Sequence, residues 1–123
     1  MLPEGTIGSS LDVLARQFLW NEGLNYNHGT GHGVGFFLSV HEAGGFSKNS
    51  QMPLKAGMII SNEPGCYLEN EFGIRFESLM LIKKSEREGF LCFEILTKAE
   101  VETKLLDFEI LTNAELEFLK SNY

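Results

Sequence analysis

Leu11, Leu14, Ala15, Phe18 and Leu19 recur at three- and four-residue steps, one face of a helix. Ser9 or Ser10 can cap it and Gly23 can end it, so the spacing predicts a helix over 10–22 whose stripe covers a sheet or another helix. Asp12 suits the positive end of its dipole. Residues 1–8, with Pro3 and Gly5, read as a linker. Val34, Phe36, Phe37 and Leu38 suggest a short buried strand or turn. Residues 42–57 are rich in Gly, Ser, Asn and Lys and read as a surface loop, with Gly44-Gly45 able to pass close to the histidines before it.

From Met58 the period becomes two. A strand begins at Met58-Ile59-Ile60 and runs to Glu63-Pro64-Gly65, where Pro64 marks an edge, a bulge or a bend. Tyr67 and Leu68 continue extended, and Glu69-Asn70-Glu71 turns. Gly73 to Lys84 then alternates as one long strand. Ile74, Phe76, Met80 and Ile82 take one face; Arg75, Glu77, Leu79, Leu81 and Lys83 take the other. A charged turn, Ser85 to Gly89, leads to a strand at Phe90 to Leu96, which suggests an antiparallel meander. After a connecting segment at 97–108, Thr112 with Glu115 forms a capping box and Leu111 with Leu116 a staple, opening a helix to about Lys120. The class is α+β: an antiparallel sheet covered by helices.

Composition sets limits on function. The 123 residues suit one modest domain, and 43% apolar content with ten Phe implies a packed core. A net charge of −7 argues against a nucleic-acid partner, which would need clustered Lys and Arg. No stretch approaches the roughly 18 apolar residues of a membrane span. Met1 to Gly5 lacks a basic or apolar leader pattern, and Cys66 and Cys92 lack metal-type spacing. These features lead us to expect a cytoplasmic protein with reduced thiols.

All three histidines, His28, His32 and His41, lie in one 14-residue stretch, where Gly29, Gly31, Gly33 and Gly35 alternate. Glycine admits close backbone approach and imidazole binds metal or carries protons, so this window reads as a site. Glu63 and Glu77 are equidistant from Asn70. In a hairpin turning there they oppose each other, at roughly 4.5–5.5 Å between Cβ atoms. Like charges so placed need a cation between them: a metal ion, or Arg75 on the strand of Glu77. The plain alternative is two glutamates on a solvated face. One imidazole and two carboxylates would suit Mn, Fe, Co or Zn and support hydrolysis. Residue type and spacing do not choose among the three histidines.

His-Gly-Thr-Gly-His-Gly-Val-Gly, Val-His-Glu, Asn-Glu-Pro-Gly-Cys-Tyr and Gly-Ile-Arg-Phe-Glu occur here in one order. They resemble the catalytic domain of X-Pro aminopeptidase (aminopeptidase P), which has the pita-bread fold shared with prolidase and methionine aminopeptidase. The tail, Leu91 to Thr97 and Thr103 to Asp107 with its last helix, is similar to the long, three-domain members. The resemblance implies that residues 1–123 form the carboxy-terminal half of a pita-bread domain. It makes His32, Glu63 and Glu77 metal ligands, His41 and His28 catalytic, and Arg75 a group that orients the carboxylates. It implies two divalent ions, Mn first and Zn or Co as alternatives, and a peptide substrate with proline second. Two aspartates of the family motif have no counterpart, since Asp12 and Asp107 lie outside it. The expectation is therefore an incomplete or empty metal site, an inactive fragment, and a homodimer formed over bare apolar surface. A prolidase-type dipeptidase and a non-catalytic peptide-binding module are the alternatives.

Overall fold

The computed structural model describes residues 1–37 and 39–123. The strands are β1 (Leu2–Pro3), β2 (Gly33–Val34), β3 (His41–Glu42), β4 (Ile59–Asn62), β5 (Gly65–Leu68), β6 (Phe72–Arg75), β7 (Ser78–Lys84) and β8 (Phe90–Ile95). The helices are α1 (Gly8–Asn21) and α2 (Asn113–Asn122), with a 3₁₀ turn at Thr103–Leu105. Six strands pair antiparallel in the order β1-β8-β7-β4-β2-β3. The core lies on this sheet. Ile60 sits opposite Met80, Ile82 opposite Phe93, and Leu2 opposite Leu91. Leu54 and Phe46 close over them. Alternation puts Ser78, Met80 and Ile82 inward along β7, and Ile82 is 0% exposed.

The expected single strand from Gly73 to Lys84 is two strands. β4 and β7 pair as far as Asn62 and Ser78, and the same register resumes at Gly65 and Arg75 in a separate β5–β6 ribbon. Pairing weakens at 63–64 and 76–77, where Pro64 has no N–H to give and accepts from Phe76 N–H at 3.2 Å, while Glu63 N–H faces the β2 side like that of Ser61 and bonds Thr30 O at 2.7 Å. The turn at 69–71 forms, with Asn70 at φ 61°. Ile74 and Phe76, read on one face with Met80 and Ile82, are exposed while those two are buried, because this end of the hairpin projects beyond the core.

Other expectations need correction. Residues 1–8 are no free linker: Leu2–Pro3 adds β1 to the sheet edge, and Leu54 N–H bonds Thr6 O at 2.9 Å. The predicted stripe of α1 is divided, with Leu14 and Phe18 (70%) exposed and Leu11, Ala15 and Leu19 partly buried, while Gly8, Asp12 and Arg16 are buried. Leu11 alone of that stripe packs on the core. No serine caps the helix, whose N-cap is Ile7, and Asp12 is engaged elsewhere. Phe36 (95% exposed) and Phe37 face solvent, and Leu38 lies outside the described residues. The 42–57 segment is a surface loop only in part, since Gly45, Phe46 and Leu54 are buried.

Two of the helix ends read from the sequence are formed. Leu24 N–H reaches Leu19 O and Gly23 N–H reaches Trp20 O, a Schellman end at Gly23. Thr112 and Glu115 make the capping box of α2. Tyr123, at its end, packs edge-on against Phe76 and hydrogen-bonds Ser78. The helices thus flank the sheet through a few side chains and do not blanket it.

Candidate functional site

The histidine window is fixed from two sides. On one side lies α1. Asp12 and Arg16, one turn apart, form a buried ion pair, Nε to Oδ2 2.8 Å. Arg16 also donates to the carbonyls of Tyr26 (2.8 Å) and His28 (2.6 Å), and its guanidinium lies 4.0 Å over the Tyr26 ring. Asp12 Oδ1 accepts from the hydroxyl and the N–H of Thr30, at 2.6 and 3.2 Å. Burial pushes the Asp12 carboxyl up, but the bonds from Arg16 and Thr30 outweigh it and hold its pKa below the usual value.

On the other side lies β4. Gly31 N–H bonds Phe46 O, and Ser61 N–H bonds His32 O at 2.9 Å. A Cβ on Gly31 would stand 1.9 Å from Ser61 O, so only glycine allows this approach. Gly45 has φ +82°, and a Cβ there would stand 2.4 Å from His32 Cα. The expected close passage of Gly44-Gly45 by the histidines is realised at this point.

His32 Nδ1 lies 2.8 Å from Gly33 O, so that nitrogen carries the proton and Nε2 faces outward. Nε2 is 3.2 Å from Glu63 Oε1. Two donors bonded at about 2.1 Å to one ion, at about 90–109° to each other, lie about 3.0–3.4 Å apart. The pair therefore fits two adjacent ligands of a divalent metal. Ser61 couples them: its hydroxyl accepts from His32 N–H (2.9 Å) and donates to Glu63 Oε1 (3.0 Å). Arg75 Nη1 stands 3.4 Å from Glu63 Oε2.

His28 and His41 border the same recess, with Glu63, Arg75 and Gly44. The His41 ring meets the His32 ring edge-on at 4.1 Å. His28 is oriented by a directed chain: Arg75 Nε–H donates to Tyr67 Oη at 3.0 Å, and Tyr67 lies 2.8 Å from His28 Nε2. His28 Nδ1 then faces Gly29 O at 2.8 Å. The Tyr67 bond, followed by the Glu63 and Glu77 charges, raises the Arg75 pKa, with desolvation opposing.

Counting inward from Asn62↔Ser78 or from Gly65↔Arg75 puts Glu63 opposite Glu77, the register expected from their symmetry about Asn70. Their surroundings differ. Glu63 is buried against His32, while Glu77 is exposed. Among the described residues no three His, Cys, Asp or Glu side chains are gathered tightly enough to hold an ion. The predicted His32, Glu63 and Glu77 set is thus two donors in contact and a third across the broken ladder.

Sequence reasoning missed Asp12, Arg16, Thr30, Ser61 and Tyr67. Asp12 and Arg16 stand at the helical ion-pair spacing, which was the available signal. Ser61 is a lone hydroxyl in an otherwise apolar strand start. Tyr67 ends a motif already noticed for its glutamate.

The sequence matches the model of metallopeptidase family M24 over residues 1–84. A Saccharomyces cerevisiae relative named as an Xaa-Pro aminopeptidase, FRA1, is 52% identical over 117 residues, covering 87% of this chain and 16% of the relative. Among solved structures, an X-prolyl aminopeptidase from Caenorhabditis elegans, described as a cytosolic enzyme with a di-nuclear active site, superposes with TM-score 0.91 at 35% identity. That match covers 98% of this chain and 21% of the other. The prolidase from Pyrococcus horikoshii gives TM-score 0.69 at 36% identity, covering 82% and 27%. The chain therefore spans 16% and 21% of the length of these two aminopeptidases. Among the described residues no helix is long and apolar enough to cross a membrane.

Proposed function

Because the chain belongs to metallopeptidase family M24 and has its α+β pita-bread architecture, we propose that it is the carboxy-terminal part of the catalytic domain of an X-Pro aminopeptidase. The enzyme releases the N-terminal residue of peptides with proline second. The observation that carries this is the His32 Nε2 to Glu63 Oε1 approach at 3.2 Å, in a recess shared with His28 and His41. His32 and Glu63 would hold one side of a two-metal centre, with Glu77 joining from across the ladder. Divalent ions, when bound, polarise a peptide carbonyl and lower the pKa of water. The mixed nitrogen and oxygen donors favour Mn over a thiolate metal.

The chain's own residues supply the rest. Ser61 and Arg75 aim Glu63 through its two oxygens. His41, edge-on to His32, would carry a proton at the scissile peptide. His28, fixed by Gly29 O and Tyr67, presents a defined ring edge to the substrate. The 98% coverage by the C. elegans aminopeptidase, against 82% by the prolidase, favours the longer enzymes. The reading extends to a cytoplasmic homodimer. The C. elegans relative is described as cytosolic, and exposed Phe18, Phe36 and Phe37 offer apolar surface for another copy to cover.

The test is turnover of a tripeptide with proline second, and of an X-Pro dipeptide, by the full-length protein with added Mn. Cleavage of the tripeptide, lost in Glu63→Gln, supports the reading. Cleavage of the dipeptide alone makes it a prolidase, and Mn binding without turnover makes it a binding module. The 123-residue chain by itself is expected to be inactive, since His32, Glu63 and Glu77 are too few oxygen and nitrogen donors for two ions.

A further inference from the structure

We propose that the buried Asp12–Arg16 pair is a positioning device that sets both metal-binding donors through Thr30. The metal-binding half of this rests on the peptidase reading above. Arg16 grips the backbone carbonyls of Tyr26 and His28, so the chain entering the window cannot rotate. Asp12 grips the next turn through the N–H and the hydroxyl of Thr30. Thr30 in turn gives its carbonyl to Glu63 N–H at 2.7 Å, one step beyond the bond from Ser61 N–H to His32 O, so the Thr30 turn fixes the backbone of Glu63. One residue further, Gly31 is pressed onto Ser61, whose hydroxyl ties His32 to Glu63. Thr30 thus stands two residues from His32 and one hydrogen bond from Glu63. Thr30 is 1% exposed and Asp12 2%, so water cannot replace either partner.

A buried ion pair is weak evidence for stability, because an apolar pair of the same size often serves as well. What an apolar pair cannot do is hold three carbonyl and hydroxyl groups in fixed directions. That difference separates positioning from packing. Groups that orient a metal ligand from behind it, when lost, typically weaken metal affinity about 10- to 100-fold.

The experiment uses the full-length protein with Asp12→Leu/Arg16→Met, Thr30→Val and Thr30→Ser. Unfolding midpoints, Mn affinity by calorimetry and ¹⁵N shifts of the His28 and His32 rings in metal-free protein are read together. We expect the double variant and Thr30→Val to fold, to bind Mn about 10- to 100-fold more weakly, and to lose the fixed Nδ1–H form of both rings. Thr30→Ser restores affinity and ring signals. Unchanged ring signals and Mn affinity in a folded double variant overturn the proposal. If the double variant fails to fold, Thr30→Val, which removes one hydroxyl and keeps the shape, decides on the same two readouts. If wild-type protein binds no Mn, the peptidase reading fails, and the ring signals still decide the positioning role.

Discussion

The β4–β7–β8 ladder and the histidine window adjoin each other but are held by opposite means. The ladder is held by apolar burial: Ile60, Met80, Ile82 and Leu91 touch almost no water. The window is held by directed polar bonds and by two glycines whose backbones pass within van der Waals reach of Ser61 and His32. Burial is non-directional and tolerates small shifts. Hydrogen bonds lose strength within a few tenths of an ångström. A metal site needs the second kind of support, and a folding core needs only the first.

The sharpest way to break the contrast is Gly31→Ala. Its methyl would meet a backbone oxygen at 1.9 Å, and neither β4 nor the window can move aside without losing paired groups. We expect a cost of about 4 kcal/mol or more, the range of severe steric conflict, and loss of the His32–Glu63 approach. Urea unfolding and Mn titration of the full-length variant check it. Wild-type stability would show that the window is looser than the glycine contact implies.

Ile82→Ala strikes the other region. Ile82 is fully buried opposite Phe93, so we expect about 2–5 kcal/mol lost to transfer and cavity. Mn affinity should stay within about threefold of wild type in protein that remains folded, because no bond of the window passes through Ile82. Loss of Mn affinity in a folded variant would mean that the two regions are mechanically one.

The same division explains what the sequence disclosed. The ladder was legible because period two is a property of every strand residue, and the Glu63–Glu77 register followed from the Asn70 turn alone. The capping box at Thr112 and the end at Gly23 were legible because capping is local chemistry. The stripe of α1 misled. Only part of it is covered, Leu14 and Phe18 staying exposed, and the most buried side chains of the helix are a charge pair. Apolar periodicity reports which residues could be buried, not which surface meets the chain. The break at Pro64 was signalled, but the bond from Glu63 N–H to Thr30 O beside it depends on a partner 33 positions earlier.

Acid should separate the regions with a smaller effect. Burial raises the Asp12 carboxyl, but Arg16 and Thr30 lower it further, so its folded pKa lies below the ordinary 3.8. The unfolded chain then binds more protons near that pH, and stability rises with pH there. Asp12's contribution is complete above about pH 5 and is lost as pH falls through 3.8 and below the folded value. Urea midpoints from pH 5 to 2 should therefore fall more steeply for wild type than for Asp12→Leu/Arg16→Met. Parallel curves would remove Asp12 from the acid response. The comparison is needed because Glu94, held down by its bond to Lys83, and Glu115, held down by Thr112, titrate in the same direction.

The smallest effect belongs to a polar contact that copies the geometry of the window without its burial. Lys83 Nζ meets Glu94 Oε2 at 2.8 Å across β7 and β8, as short as the Asp12–Arg16 bond. The hydrogen bond between them raises the lysine pKa and lowers that of the glutamate. Both side chains are about half exposed, so water and salt screen the pair and holding it costs side-chain freedom. Lys83→Met should leave the urea midpoint unresolved from wild type at physiological salt, with any difference at low salt vanishing as salt is added. The two ion pairs then have equal lengths and unequal consequences. A loss from Lys83→Met comparable to that from Ile82→Ala would mean that polar contacts on this sheet do more than burial predicts, and the division between the regions would fail.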